Sequence, residues 1–196
     1  MIGRLLSLAL FLPLLGACNM VISESPLFAQ HGAAQLRPRD GIWLSDDPDC
    51  HFDPASPEAR WPGCAKWLIV RGSGRELLLQ DGKGQAQQAR YVVARGRPPV
   101  VQILWRDEAK EDGKTFYVFF GLEPGRDQPD GTFVTASSWE VKCGVKNPAS
   151  SEIEPYAGIT PECRPLSGDA IRSAAVASRP TAEMAMDWRW LRPESQ

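Results

Sequence analysis

Histidine is nearly missing from this chain: two occur in 196 residues. His31 sits in a Ser-, Pro-, Gly- and Ala-containing stretch without periodicity, and His51 sits in DDPDCHFD, residues 46 to 53, beside Cys50. A Ser–His–Asp or Cys–His site needs an imidazole held rigidly beside a nucleophile. Neither position offers that, and there is no G-x-S-x-G turn. Ser137 and Ser138 lie inside a strand-like run, where packing is the simpler role. The motifs H-E-x-x-H, G-x-x-x-x-G-K-[ST] and G-x-G-x-x-G are also absent. Zinc is disfavoured because C-x-x-C is missing and the two histidines are not at metal-ligand spacing. Asp46, Asp47, Asp49 and Asp53 could offer oxygens to a hard cation, but the glycine and closing Glu of an EF-hand loop are missing. The sequence thus predicts a solvated loop there, with no catalytic residue, metal or cofactor. Basic runs are lacking too, and the formal net charge is −2, so nucleic acid is not an expected partner.

Long hydrophobic runs are scarce. From Leu5 to Leu15 every residue is apolar except Ser7, and Arg4 is the only charge before Cys18. A bilayer-spanning helix needs about 20 apolar residues, so this segment is too short. A basic start, a short apolar core and a small-residue exit are the parts of a secretory signal peptide, here residues 1–17. The exit, Leu15-Gly16-Ala17-Cys18, resembles the bacterial lipobox. That resemblance implies cleavage before Cys18 and acylation of its thiol, a stable anchor once more than one chain is attached. Asn19 follows where an Asp would imply inner-membrane retention, so the expected location is the outer membrane, facing the periplasm. Residues 18–40 then read as lipid anchor and flexible tether, a reach of about 25 Å for a chain of this length. Leu27 and Phe28 are the residues in it able to pack back.

Five cysteines occur. With Cys18 lipidated, Cys50, Cys64, Cys143 and Cys163 remain, and an even set in an exported chain reads as two disulfides. Proximity along the chain favours Cys50–Cys64 and Cys143–Cys163. A closed loop of about 15 residues is worth roughly 3 kcal/mol in the chain-entropy treatment.

After Gly41 the pattern is β. Runs rich in Val, Ile, Phe, Tyr and Trp predict strands at 41–45, 66–71, 75–80, 89–95, 100–106, 114–122 and 132–143. Gly-containing turns separate them at 72–74, 81–84, 111–114 and 129–131, which makes successive strands antiparallel. In 114–122, Phe116, Val118 and Phe120 share one face and Tyr117 and Phe119 the other, so that strand should be covered on both sides. Residues 144–166 carry four prolines and read as a long loop. Ser167 is a suitable N-cap for a helix at 168–178, and the alternation in MAMDWRW gives a last strand. The expected fold is one mostly β domain over 41–193: an antiparallel meander of about eight strands, curled or closed as a barrel, with one short helix before the last strand. A two-sheet sandwich is the alternative. An eight-stranded barrel is just wide enough for side chains to fill or for one small ligand. The aromatics of 114–122, with Trp105, Trp139, Trp188 and Trp190, predict a largely filled interior.

CNMVIS, SPLF, RDGIW, DDPDCHFD, WPGCAKW and MDWRW together resemble a group of uncharacterised bacterial membrane lipoproteins. The resemblance implies a membrane-anchored β domain and no particular activity. Gly41-Ile42-Trp43 and the helix before the last strand are more loosely similar to lipocalins. The expected function is therefore a non-catalytic, lipid-anchored envelope protein that contacts another envelope component, with Trp61 and Tyr156 as candidate contact residues. The alternative is a lipocalin-like carrier of a small apolar ligand.

Overall fold

The computed structural model describes residues 19–29, 36–72, 76–80, 86–106, 114–125, 128, 130–150, 152–179 and 185–194. The signal peptide, Cys18, His31, Met184 and parts of the expected turns lie outside the described residues. In chain order the strands are β1 (Ile22–Ser23), β2 (Arg37–Pro38), β3 (Gly41–Ser45), β4 (Trp67–Arg71), β5 (Glu76–Gln80), β6 (Ala86–Ala94) and β7 (Val100–Arg106). They continue with β8 (Thr115–Pro124), β9 (Thr132–Phe133), β10 (Thr135–Glu140), β11 (Gly144–Lys146) and β12 (Ile153–Pro155). The helix α1 (Gly168–Ala177) comes next, and β13 (Met186–Arg192) is last.

Eight of these strands form a closed antiparallel barrel in the order β8-β10-β13-β3-β4-β5-β6-β7, with β7 pairing back onto β8. Closure removes the unpaired strand edges that an open sheet would expose. Register follows the alternation of side chains. Trp43 faces Leu68, Leu68 faces Leu79, Tyr91 faces Ile103 and Ile103 faces Val118, so these point to one side, the interior.

The outer face of β6–β8 is apolar as well, and it is covered. Val92, Ala94, Val100 and Phe119 pack against Ile171, Ala174 and Ala175 of α1 and against Phe28. Ser167 caps the helix by accepting a bond from the Ala170 amide at 3.1 Å, so the capping residue read from the sequence is the one used. β8 is thus covered on both sides, as its two apolar faces require.

Both disulfides have the pairing that proximity suggested, Cys50–Cys64 and Cys143–Cys163. The first pins a loop over the outside of β3 and β4, where Ile42 and Leu44 are buried. The second ties the end of the barrel sheet to the loop that leads into α1.

Three segments differ from the sequence reading. The run 132–143 is not one strand. Thr132–Phe133 pair in parallel with Arg37–Pro38, and Val134 breaks away to accept the Trp190 amide at 2.7 Å before β10 begins. The loop 144–166 contains a hairpin, β11 with β12, whose three-residue strands are too short for alternation to reveal. Residues 19–29 are docked, where a flexible tether was expected. Val21 is fully buried, its amide donates to the Val141 carbonyl at 3.0 Å, and β1 pairs with β8. Phe28 meets Phe119 edge to face at 6.3 Å. Isolated from the barrel, this segment has no periodicity to signal a strand; its partners supply the order.

Candidate functional site

One end of the barrel is filled by the β2–β9 ribbon. Phe133 is buried and meets Trp43 at 5.7 Å, with Leu36 packed beside it. The Trp43 indole is fixed by donating to the Arg39 carbonyl at 2.8 Å. Gly41, at φ 132°, is required here: a Cβ would meet the Arg192 carbonyl oxygen at 2.4 Å and the Trp190 indole nitrogen at 2.7 Å. The glycine of Gly41-Ile42-Trp43 therefore makes room for the last strand.

Behind this plug the interior is not full. A cavity of about 180 Å³ lies among Pro38, Trp43, Phe133 and side chains of seven barrel strands. β4 and β5 contribute Leu68, Val70, Leu77 and Leu79; β6 and β7 contribute Tyr91, Val93, Val101, Ile103 and Trp105. Phe120, Leu122, Ala136, Ser138 and Trp188 complete the wall. Well-packed interiors have few voids larger than a water molecule. An apolar cavity of about 150 Å³ stays dry and takes up benzene or xenon, whereas pockets for drug-sized ligands start near 300 Å³. This one fits a single ring or a short chain.

The interior is largely filled, as expected, and the space that remains has a specific cause. Trp139, counted among the fillers, is on the opposite face of β10, with its indole nitrogen donating to the Ala175 carbonyl at 2.9 Å. Its ring lies on Gly121, where a Cβ would come within 2.2 Å of it. The inward positions of β10 are the small residues Ala136 and Ser138. Trp190 packs against the edge of the interior cluster and does not line the cavity; its indole donates to the Asp40 carbonyl at 3.0 Å with the Arg39 guanidinium over its ring.

Among the described residues the wall carries no Asp, Glu, His, Lys, Arg or Cys. Its polar side-chain groups are two hydroxyls and the indole nitrogens. Ser138 accepts from the Trp188 indole at 2.9 Å. Tyr91 is 5% exposed, and its hydroxyl has no hydrogen-bond partner among the described residues. A buried polar group left unpaired costs about 1–3 kcal/mol. Burial, and then the charge of Asp40, push this phenol well above its usual range, so it stays protonated. Such a wall can hold an apolar molecule and offer it one hydrogen bond.

The residues singled out from the sequence lie elsewhere. Trp61 is half-buried between Phe52, at 5.3 Å, and Trp67, at 5.4 Å; its indole donates to the Ser56 carbonyl and Arg192 lies over its ring. Tyr156 packs at the edge of the α1 cluster and donates to the Ala177 carbonyl at 3.3 Å. The acidic cluster shapes its own loop: Asp46 pairs with Arg189, Asp47 approaches Lys66 and accepts the Asp49 amide, and Asp53 accepts the Ala55 amide. Among the described residues no group of three His, Cys, Asp or Glu is placed to hold a metal. Two larger grooves, about 430 and 360 Å³, lie outside the barrel, and their walls include the ion-paired Arg172 and Asp169 and the ion-paired Arg179 and Glu123. Tyr91 and Ala136 were not singled out from the sequence, and Ser138 was read there only as a packing residue of a strand. The alternation of 89–95 puts Tyr91 in line with Val93, but only barrel closure shows which side is inside.

Fold and cavity define a class: a closed eight-stranded antiparallel barrel with an apolar chamber behind a plugged end. No protein-family model, curated protein or solved structure matches the chain.

Proposed function

We propose that the chain is a lipid-anchored protein of the bacterial outer membrane, facing the periplasm, whose barrel takes up one small apolar molecule. The observation that carries the binding half is the apolar cavity in a barrel that is otherwise closely packed. The anchoring half rests on Leu15-Gly16-Ala17-Cys18 and the apolar segment before it. Docking onto another envelope protein is less favoured, because Trp61 and Tyr156 are already engaged in holding their own loops.

Two experiments test the two halves. Purified mature protein titrated with ethylbenzene in a calorimeter should show saturable one-to-one binding. Ala136→Phe, which places a ring inside the cavity, should weaken that binding at least about tenfold, a change of about 1.4 kcal/mol, while circular dichroism shows the fold retained. Undiminished binding in this folded variant would place the ligand elsewhere. For the anchor, Cys18→Ala should abolish palmitate labelling and leave the precursor uncut by the lipoprotein peptidase. Label persisting on that variant would refute the anchor.

A further inference from the structure

We infer that the barrel cavity selects a neutral ligand bearing one hydrogen-bonding group, held by the Tyr91 hydroxyl. The inference rests on the carrier reading above and specifies the chemistry of its ligand.

Tyr91 is on the cavity wall, and among the described residues its hydroxyl is the one buried side-chain nitrogen or oxygen without a partner. Elsewhere the molecule satisfies such groups. Gln102 is 3% exposed and makes three hydrogen bonds, and the indoles of Trp43, Trp139, Trp188 and Trp190 each have an acceptor. Against that background the unpaired phenol belongs to a residue of the cavity wall, and a ligand reaches its oxygen by displacing the side chains packed over it. A protonated phenol donates to a carbonyl or ether and can also accept from a hydroxyl. The apolar remainder of the wall then takes the rest of the ligand.

Charge narrows the class. Among the described residues the wall has no cation to balance a carboxylate, and a charge buried without a counter-ion is strongly disfavoured. Fatty-acid anions are therefore disfavoured, and small neutral ketones, esters, ethers and alcohols are favoured.

The test uses three probes built on one ring: ethylbenzene, acetophenone and benzoate. Each is titrated at neutral pH into the wild-type protein and into Tyr91→Phe, which removes one oxygen and keeps the ring. The wild type should bind ethylbenzene and acetophenone and not benzoate. Tyr91→Phe should weaken acetophenone about tenfold and leave ethylbenzene within about twofold. Thermal unfolding of the variant should occur at or above the wild-type temperature, since the lost hydroxyl had no partner. Equal changes for both neutral probes, no change for either, or benzoate binding as well as acetophenone would overturn the role of Tyr91 while leaving the carrier intact. If ethylbenzene and acetophenone both fail to bind the wild type, the carrier reading itself falls and this inference falls with it.

Discussion

Phe119→Ala should lower the unfolding free energy by about 3–5 kcal/mol, at the upper end of what core truncations remove. Phe119 is fully buried on the outward face of β8. It is the large ring between the barrel wall and the layer formed by α1 and the N-terminal segment, with Phe28 against it at an interplanar angle of 78°. The space left by truncation has little means of collapsing. On one side is a strand paired along both edges, to β7 and to β10 and β1. On the other is a helix fixed by the Trp139 indole and by Ser178, whose hydroxyl accepts the Lys142 amide at 2.9 Å. Typical domains have only about 5–15 kcal/mol in total, so a large share of stability rests on this ring. Guanidinium unfolding followed by tryptophan fluorescence checks it: the midpoint should fall with little change in slope. A loss below about 1 kcal/mol would mean that the outer layer is not part of the cooperative unit.

Gln102→Leu should release the N-terminal segment while leaving the barrel closed. Gln102 is on the outer face of β7, and its side-chain oxygen accepts the amides of Leu27 at 2.8 Å and Phe28 at 3.0 Å. Its side-chain nitrogen donates to the Phe28 carbonyl at 3.1 Å. Leucine has similar bulk and none of these bonds, so backbone groups at a buried position lose their partner, at about 1–3 kcal/mol for each one left unsatisfied. Hydrogen exchange read by mass spectrometry should show faster exchange across 20–28, with amides of β6 and β7 unchanged. Limited proteolysis should cut this segment before the barrel. Gln102→Glu should behave in the same direction, because a carboxylate keeps the acceptor and loses the donor. Uniform acceleration across the whole chain would argue against a locally clamped segment.

How much of this could be read from the chain depends on how local the signal is. The hairpin strands, the Ser167 cap and the disulfide partners are decided by neighbours in sequence, and those expectations match the structure. The docked residues 19–29 are held by Val141, Gln102 and Phe119, all distant along the chain. The remaining cavity was not legible for a related reason. Alternation places Trp139 opposite Ala136 and Ser138, but a shift of one residue exchanges inside and outside. Register in β10 is set by pairing with β8 and β13, and it turns the tryptophan outward onto Gly121 and the small residues inward. The break in the run at Val134 goes with the parallel pairing of Thr132–Phe133 to β2, which no nearby residue announces.

The docking of Asn19 sets how the molecule would stand on a membrane. Its side chain donates to the Gly144 carbonyl at 3.0 Å and accepts the Gly144 amide at 3.1 Å, so the barrel assembly begins one residue after Cys18. With lipid on that cysteine, the slack between bilayer and barrel shrinks from the length of a coil to one peptide unit, ~3.8 Å. The domain would be moored, with the flank around Asn19 and Gly144 turned toward the headgroups. It would then search for ligand in two dimensions, along the leaflet, meeting apolar molecules as they leave the lipid instead of reaching for them across the periplasm.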